Sequence, residues 1–391
     1  MSYVFAERVS YMESSAIREI LKVTEQPEVI SFAGGLPAPE LFPLAEIRES
    51  YGQVLGAGDP SVLQYSTTEG FLPLRVNIAA NMKKKGIEVG PGNILLTNGS
   101  QQGLDLLTKL FINPGDFIIV EDPTYLGALQ TFRSYQARFA TVPTDSEGID
   151  LEALKFAIKQ YHPKMIYLTP TFKNPTGVTF STRRRQEIAS LLSQYNIPLI
   201  EDDAYGELHY SGSSLPPIKS FDQQERGIYL GTFSKTVAPG LRLGWVVASE
   251  EMVAKLVLAK QGTDLHTGTI LQRATHYYLE NFDVQKHLDA LRSEYKSRRD
   301  LMLAEMRTNF PSQIHWTEPE GGMFVWVTLP DPLDSVNLLR QAVEAKVAYV
   351  PGVPFYANGG GNNTLRLNFS NSSPAQIKEG IERLGRIFMI Q

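Results

Sequence analysis

Short apolar segments alternate with amphipathic helical patterns between about residues 94 and 250, and this alternation constrains the fold more than any other feature of the chain. Continuous apolar runs between helices are typical of strands that are covered on both faces of a mostly parallel sheet. The chain is therefore predicted to be an α/β protein with a ligand site at the carboxyl ends of its strands. The predicted strands are 94–97, 117–120, 165–168, 198–200, 228–230 and 245–247, and the predicted helices are 101–111 and 182–195.

The 391 residues exceed the roughly 250–300 at which a single core stops growing, so more than one domain is expected. A long amphipathic helix is predicted over 282–310, leading into a smaller α+β domain with strands at 322–327 and 365–369. A capped helix is predicted at 14–22. The expected division is an N-terminal arm with a helix (1–45), a large domain (46–280) and a small C-terminal domain (281–391).

Composition excludes several classes of protein. A net charge of −5 provides no basic surface for nucleic acid, and the absence of cysteine excludes disulfides and thiolate metal sites. No apolar run approaches the ~20 residues that cross a bilayer, and no secretory signal or metal motif is present, so a cytoplasmic protein without a membrane partner is expected. The runs 83–85 (Lys) and 183–185 (Arg) are predicted to be solvated helix faces.

Lys235 lies in the run Gly-Thr-Phe-Ser-Lys and precedes Pro-Gly-Leu-Arg-Leu-Gly-Trp at 239–245. Hydroxyls and a guanidinium suit the oxygens of a phosphate, and Thr232, Ser234 and Arg242 supply both kinds of group near the lysine. A lysine beside a phosphate site could form a Schiff base with a phosphorylated aldehyde, which is the chemistry of pyridoxal phosphate. Taken alone, this run is equally compatible with a solvated surface turn.

Further polar groups follow other predicted strands: Tyr125 in Asp-Pro-Thr-Tyr, Asn174 in Asn-Pro-Thr-Gly, and Asp202. Each is weak evidence by itself, since such residues often form turns, caps or core contacts. Together, and in this order ahead of Lys235, they resemble the fold-type-I pyridoxal-phosphate aminotransferases of the aspartate-aminotransferase superfamily. The resemblance extends over essentially the whole chain.

Within that superfamily, the segment 30–43 (ISFAGGLPAPELFP) resembles the branch that contains 2-aminoadipate, kynurenine and aromatic aminotransferases. Residues 64–66 and 98–103 resemble the same branch. The resemblance implies a large domain with a mostly parallel seven-stranded sheet between helices, plus a smaller α+β domain. It also implies a homodimer with active sites at the interface, and pyridoxal 5'-phosphate as cofactor.

The resemblance assigns roles at the cofactor ring. Lys235 resembles the Schiff-base lysine, which also carries a proton during the reaction. Asp202 resembles the carboxylate that keeps the pyridine nitrogen protonated. Asn174 and Tyr205 would hydrogen-bond the 3' oxygen of the ring, and Tyr125 would stack on its face.

The resemblance likewise assigns a phosphate-binding group, in which a helix N-terminus and hydroxyls meet the anion. Its expected members are Ser100, Gln101, Thr232, Ser234 and Arg242. Tyr65 resembles a tyrosine that reaches the phosphate from the partner subunit.

Substrate binding is expected at Arg366, which resembles the arginine that holds the α-carboxylate, and at the neighbouring Asn174. Gly35 would let the backbone approach a ligand closely. Arg18 resembles an arginine that meets the distal carboxylate of 2-aminoadipate; the alternative is a helix-surface arginine paired with a glutamate.

The expected reaction moves the amino group of an amino acid, either 2-aminoadipate or an aromatic, branched or neutral one, to 2-oxoglutarate by ping-pong half-reactions. Two alternatives stand beside it: a carbon–sulfur β-lyase on the same fold, and an effector-sensing domain similar to those fused to winged-helix regulators. The sequence leaves open the preferred donor, a dimer against a tetramer, the role of Lys173, and whether Arg18 is a mobile specificity switch. His266 is expected at the subunit interface and not in the chemistry.

Overall fold

The structure, a computed structural model, describes residues 3–12 and 28–389. Its strands are β1 (Ile30–Ser31), β2 (Ile94–Thr97), β3 (Phe117–Asp122), β4 (Arg138–Asp145), β5 (Gly148–Ile149), β6 (Met165–Leu168), β7 (Leu199–Asp203), β8 (Gly227–Thr232), β9 (Gly244–Val247), β10 (His315–Trp316), β11 (Phe324–Thr328), β12 (Val347–Ala348), β13 (Val350–Pro351) and β14 (Thr364–Asn368). Its α-helices are α1 (Leu44–Gly56), α2 (Leu72–Lys84), α3 (Ser100–Phe111), α4 (Leu126–Ser134), α5 (Leu151–Tyr161), α6 (Thr182–Leu192), α7 (Glu250–Gln261), α8 (Thr269–Asn281), α9 (Val284–Asn309), α10 (Ser335–Glu344) and α11 (Pro374–Met389).

The central sheet has the strand order β2-β9-β8-β7-β6-β3-β4-β5. The pairs from β8 through β7, β6 and β3 to β4 are all parallel, whereas β9 is antiparallel to both of its neighbours. The connection between β8 and β9 is too short for a helical crossover, which is why the chain reverses there. The predicted α/β architecture is confirmed. The sheet has one strand more than the expected seven because the two-residue β5 pairs antiparallel with β4.

Strands β4 and β5 were absent from the sequence-based prediction. Buried and exposed residues alternate along β4, which begins with the exposed Arg138 and contains Pro143, so its signal differs from the continuous apolar runs of the inner strands. Strand β7 was predicted to end before its carboxylates, but Asp202 and Asp203 are part of it. The acidic pair therefore sits on the rigid sheet itself.

The helix predicted over 182–195 differs in detail from the observed α6. Ser181 is the N-cap, its hydroxyl oxygen accepting a hydrogen bond from the Arg184 backbone N–H at 3.1 Å, and the helix ends at Leu192 instead of residue 195. The prediction that the arginine run here is solvated is wrong for Arg185, which is buried and donates to the carbonyl oxygens of Pro170 and Phe180.

The lysine run at 83–85 is also only partly solvated. Lys83 is largely exposed, but the Lys85 ammonium pairs with Asp203 at 3.2 Å and with Glu207 at 3.1 Å. The carboxylates of β7 and the residues after it thus draw the end of this run towards the sheet.

The C-terminal part contains the antiparallel sheet β10-β11-β14-β13, and the helix predicted over 282–310 is present as α9. Buried residues of α9, including Leu291, Tyr295 and Met302, share one apolar core with α11 and with β11 and β14. Strand β1 pairs in parallel with β12, which fastens the N-terminal segment to this part. The helix predicted at 14–22 lies outside the described residues.

Within residues 3–12 and 28–389, no helix is both long and apolar enough to cross a bilayer.

Candidate active site

A cavity of about 320 Å³ opens where the carboxyl ends of β3, β6, β7 and β8 meet the N-terminus of α3. This is the place at which α/β sheets bind ligands. Every predicted site residue that the structure describes lines this cavity, with the exception of Tyr65. The lining residues that were predicted are Gly35, Ser100, Gln101, Tyr125, Asn174, Asp202, Tyr205, Thr232, Ser234, Lys235, Arg242 and Arg366.

Lys235 follows β8 by three residues and places its amine in the cavity. Its Nζ donates a hydrogen bond to the Gly35 carbonyl oxygen at 2.9 Å. Burial, with a smaller contribution from the positive charges of Arg366 and Arg242, lowers the pKa of Lys235 to about 8. Roughly a tenth of this amine is therefore uncharged at pH 7, against well under a thousandth of an ordinary lysine, and the uncharged form is the one that a nucleophile or proton carrier needs.

Asp202 lies near the end of β7, and its carboxylate has one satisfied and one unsatisfied oxygen. Oδ2 accepts a hydrogen bond from the Tyr167 hydroxyl at 2.8 Å. Oδ1 is buried and has no hydrogen-bond donor among residues 3–12 and 28–389. Burial raises the pKa of Asp202 to about 6. A buried carboxylate oxygen without a donor is costly, so this atom is suited to a ligand that brings a protonated nitrogen.

The N-terminus of α3 and the turn after β8 together form a cluster of hydrogen-bond donors, the donor cluster. Its members are Ser100, Gln101, Thr232, Ser234 and Arg242. The first N–H groups of a helix have no partner within the helix, and the helix dipole favours an anion there. Arg242 packs against this terminus: Gly99, with φ +74°, leaves space that a Cβ would remove by coming within 2.6 Å of Arg242 Nη2. The Thr232 hydroxyl donates to Ser234 Oγ at 2.9 Å, which holds the two hydroxyls together.

Gln101 contributes to the donor cluster through its backbone only. Its side-chain Nε2 is committed to α4, where it donates to the Gly127 carbonyl oxygen at 3.1 Å and to Thr131 Oγ1 at 2.6 Å. The backbone N–H groups of Ser100 and Gln101, both in the first turn of α3, are the groups left for an anion.

Aromatic rings form part of the wall. Tyr125 precedes α4 and packs over Gly127, where an added Cβ would lie 2.5 Å from the tyrosine oxygen. Tyr205 is buried, hydrogen-bonds with Asn174 and meets the Phe324 ring edge-on at 5.8 Å. Burial raises the pKa of both tyrosines, which therefore stay protonated and can donate.

Arg366 enters the cavity from β14 with its guanidinium buried between aromatic rings, its carbon 4.2 Å from the centre of Phe324. Nη1 donates to Asn174 Oδ1 at 2.7 Å and Nη2 to the Ala33 carbonyl oxygen at 2.7 Å. Among the described residues no carboxylate forms an ion pair with this guanidinium, and Nε has no acceptor. Burial lowers the pKa of Arg366 to about 10, still far above neutral. An uncompensated buried cation of this kind attracts a carboxylate ligand.

Of the predicted site residues that the structure describes, Tyr65 does not line the cavity. Tyr65 is 79% exposed, and its ring meets that of His266 edge-on at 5.8 Å. His266 also accepts a hydrogen bond at Nε2 from the Ser66 backbone N–H at 3.3 Å. Arg18 lies outside the described residues.

Three features of the site were not predicted from the sequence. Thr169 lines the cavity, and Tyr167 holds Asp202. Lys173 is fully buried and forms an ion pair of 3.0 Å with Glu121. Tyr167 resembles any core aromatic in a strand, and a buried lysine cannot be told from a surface lysine by its neighbours in sequence. Only the pairing of β6 with β7 and of β3 with β6 brings these groups together.

Comparison with known proteins gives consistent matches along the chain. The profile of the family "Aminotransferase class I and II" matches residues 38–384. The aromatic-amino-acid aminotransferase 1 of Thermococcus litoralis is 46% identical over 97% of this chain and 93% of its own.

Solved structures of similar proteins cover nearly the whole chain. An alpha-aminoadipate aminotransferase from Thermus thermophilus, complexed with N-(5'-phosphopyridoxyl)-L-leucine, has a TM-score of 0.92 and 41% identity over 98% of this chain and 97% of its own. A kynurenine aminotransferase from Pyrococcus horikoshii has a TM-score of 0.95 and 43% identity, covering 99% and 97%.

Proposed function

Because the chain belongs to the aminotransferase class I and II family, we propose that it transfers the amino group of an amino acid to 2-oxoglutarate, with pyridoxal phosphate as cofactor and in two half-reactions. One observation carries the proposal. The Lys235 amine, with its lowered pKa, shares a cavity with Asp202 Oδ1, which has no hydrogen-bond donor among the described residues, and with the Arg366 guanidinium, which has no carboxylate partner among them.

The residues present suit pyridoxal phosphate. Asp202 Oδ1 offers a buried acceptor for a protonated ring nitrogen, and the donor cluster at α3 suits a phosphate. The phosphate would be held by Ser100, Gln101, Thr232, Ser234 and Arg242. Asn174 and Tyr205 would hold the 3' oxygen, and Tyr125 would cover the ring.

When bound, pyridoxal phosphate supplies an aldehyde for amine exchange and an electron sink for cleavage of a bond at the substrate α-carbon. Arg366 binds the α-carboxylate and so orients that carbon towards Lys235. The Lys235 amine would accept the α-proton and pass it to the cofactor carbon that bears the aldehyde, a task for which a pKa of about 8 is well placed. Asp202 would keep a proton at the ring nitrogen.

For the amino donor we infer a range that includes 2-aminoadipate and aromatic amino acids, as the names of the relatives suggest. Arg18 would meet a distal carboxylate and so act as a specificity residue. Arg18→Ala should slow single turnover with 2-aminoadipate by about tenfold or more while leaving phenylalanine nearly unchanged. Equal slowing with both donors would contradict this role.

We further infer a homodimer in which Tyr65 reaches the phosphate of the partner subunit's site, with His266 near the interface. The exposed position of Tyr65 outside its own cavity supports this arrangement. The division into an arm (1–45), a large cofactor-binding domain (46–280) and a small domain (281–391) belongs to the same proposal, as does cytoplasmic residence.

The test is a half-reaction without acceptor. Protein loaded with pyridoxal phosphate is mixed with 2-aminoadipate, glutamate, phenylalanine, tyrosine, leucine or kynurenine, and 2-oxo acid and pyridoxamine phosphate are quantified. We expect one equivalent of each per site, then arrest, then sustained turnover once 2-oxoglutarate is added. Continuous release of pyruvate and ammonia from cystathionine without acceptor would instead indicate the β-lyase. No reaction with any donor would refute transamination.

A further inference from the structure

The Lys173–Glu121 ion pair lies outside the chemistry described above, yet both side chains are fully buried, with a separation of 3.0 Å. Lys173 Nζ also lies 3.3 Å from Thr144 Oγ1, to which it donates. The three residues come from the segment after β6, from β3 and from β4. The pair therefore joins a loop to two strands in the interior of the protein.

The second oxygen of Glu121 reaches the cavity wall. Glu121 Oε2 accepts hydrogen bonds from the Thr169 backbone N–H at 2.7 Å and from the Thr169 hydroxyl at 3.1 Å. Thr169 lines the cavity. The carboxylate thus fixes the start of the segment 169–178 through Thr169 and a later point of it through Lys173.

Asn174 follows Lys173 directly, in a turn closed on the lysine's own backbone. Lys173 N–H donates to the Val178 carbonyl oxygen at 2.9 Å, and Gly177 N–H donates to the Lys173 carbonyl oxygen at 2.6 Å. The Asn174 side chain in turn accepts the hydrogen bond from Arg366. A shift of Lys173 would therefore displace the asparagine that orients the guanidinium.

We propose that Lys173 and Glu121 are a positioning pair, which holds Thr169 and Asn174 in place so that Arg366 is preorganised for the substrate carboxylate. Neither residue is among those that line the cavity. Their effect passes through the hydrogen bonds of Glu121 to Thr169 and of Asn174 to Arg366. This inference rests on the proposed function only for the identity of the ligand that Arg366 binds.

The physical reason for a pair, and not a single polar residue, is charge compensation. A buried carboxylate that loses its cation becomes protonated or draws water inward, and either change disturbs the groups it holds. If both partners are made neutral together, the two charges of the pair disappear while a glutamine at 121 still offers an oxygen to the Thr169 N–H, and the neighbouring carboxyl group of Asp122 is the same in every variant compared.

The experiment compares two double variants in which residues 121 and 173 are both neutral, E121Q/K173M and E121L/K173M. Only in the first variant can residue 121 still accept a hydrogen bond from the Thr169 N–H. The readouts are the affinity of the pyridoxal-phosphate-loaded protein for 3-phenylpropionate, a carboxylate without an amino group, and the hydrogen exchange of the segment 169–178 in the cofactor-free protein. Lys155→Met, an exposed lysine paired with Glu152, is the matched control.

We expect E121Q/K173M to bind 3-phenylpropionate within about threefold of wild type and E121L/K173M roughly tenfold more weakly, with faster exchange at 169–178 in the latter. The single variant K173M should match E121L/K173M in affinity and in hydrogen exchange. Adding E121Q to it should restore both. Equal affinity and equal exchange in the two double variants would overturn the proposal. If wild type binds no 3-phenylpropionate and shows no half-reaction, the proposed function has failed, whereas the exchange comparison still decides the positioning role.

Discussion

Lys235 differs from an exposed lysine because its buried amine shares a cavity with two guanidinium groups. An ordinary lysine has a pKa of about 10.4, so near neutral pH almost none of it is uncharged. Burial first, and then the nearby charges of Arg366 and Arg242, lower the pKa of this amine to about 8. The environment thus prepares the lysine for reaction before any ligand arrives.

The pH dependence of cofactor capture follows from this shift. The neutral amine is the nucleophile, and its fraction grows as pH rises through the folded-state pKa, so the rate at which cofactor-free protein captures pyridoxal phosphate should rise with an inflection near 8. Arg366→Met removes a neighbouring positive charge and should move the inflection upward. Stopped-flow absorbance over pH 6–10 measures both, with the exposed Arg307→Met as control. An inflection near 10 in wild type would contradict the assignment.

The residues that the sequence could not supply are those whose role depends on pairing between strands. Lys235, Asp202 and Arg366 lie in recognisable local motifs, and the structure brings all three into one cavity. Tyr167 and Lys173 have no such motif. Their roles arise because β6 pairs with β7 and with β3, which places a hydroxyl beside Asp202 and a carboxylate beside Lys173.

At the scale of elements, the turn before helix α3 determines how closely the Arg242 guanidinium approaches the N-terminus of that helix. Gly99 has φ +74°, a conformation that side chains with a Cβ rarely adopt, and the guanidinium occupies the space beside it. Arg242 itself has φ +49° at the end of the turn Pro239–Leu241. Backbone conformation, more than side-chain identity, thus lets a cation approach the helix N-terminus.

Gly99→Ala should therefore weaken cofactor binding as well as stability. The strained φ should cost roughly 1–3 kcal/mol of unfolding free energy. Displacement of Arg242 should weaken the affinity for pyridoxal phosphate about tenfold. Denaturant unfolding and equilibrium titration measure the two effects. Gly240→Ala, in the adjacent turn with free space around it, should change stability by less than about 0.5 kcal/mol. Similar effects of both substitutions would show that the close approach at Gly99 is unimportant.

The same contrast between local and non-local information explains the fold prediction. The continuous apolar strands 94–97 and 165–168 were predicted with the bounds they have, because burial on both faces leaves a local signal. Strand β4 was missed because Arg138 and Pro143 interrupt that signal. The reversed direction of β9 depends on the short connection before it, a feature that hydrophobic patterning does not report.

At the scale of the whole molecule, Arg366 joins two sheets at one cavity. It belongs to β14 of the C-terminal sheet, whereas Asn174 follows β6 and Asp202 lies near the carboxyl end of β7, both inner strands of the central sheet. Tyr65 is exposed beside His266, outside the cavity of its own chain. The site is therefore assembled from distant parts of one chain and, in the proposed dimer, from two chains.

Subunit complementation tests the proposed dimer. Chains carrying Lys235→Ala and Tyr65→Ala, each with a different affinity tag, are co-expressed and the mixed dimer is purified. If Tyr65 serves the partner's site, one of the two sites has both residues, and the mixed dimer should have about half of wild-type activity. A dimer of wild type with Lys235→Ala sets that reference. Activity no higher than that of the Tyr65→Ala homodimer would place Tyr65 in its own subunit's site or in none.

The central claim is that Lys235 in this cavity is the residue that bonds pyridoxal phosphate. The most direct measurement is reduction of the loaded protein with borohydride, which makes the lysine–cofactor bond permanent, followed by peptide mapping by mass spectrometry. We predict one phosphopyridoxyl group per chain, on Lys235, its loss in Lys235→Ala and its retention in Lys173→Met. A label on Lys173, a label spread over exposed lysines, or labelling that persists in Lys235→Ala would contradict the account.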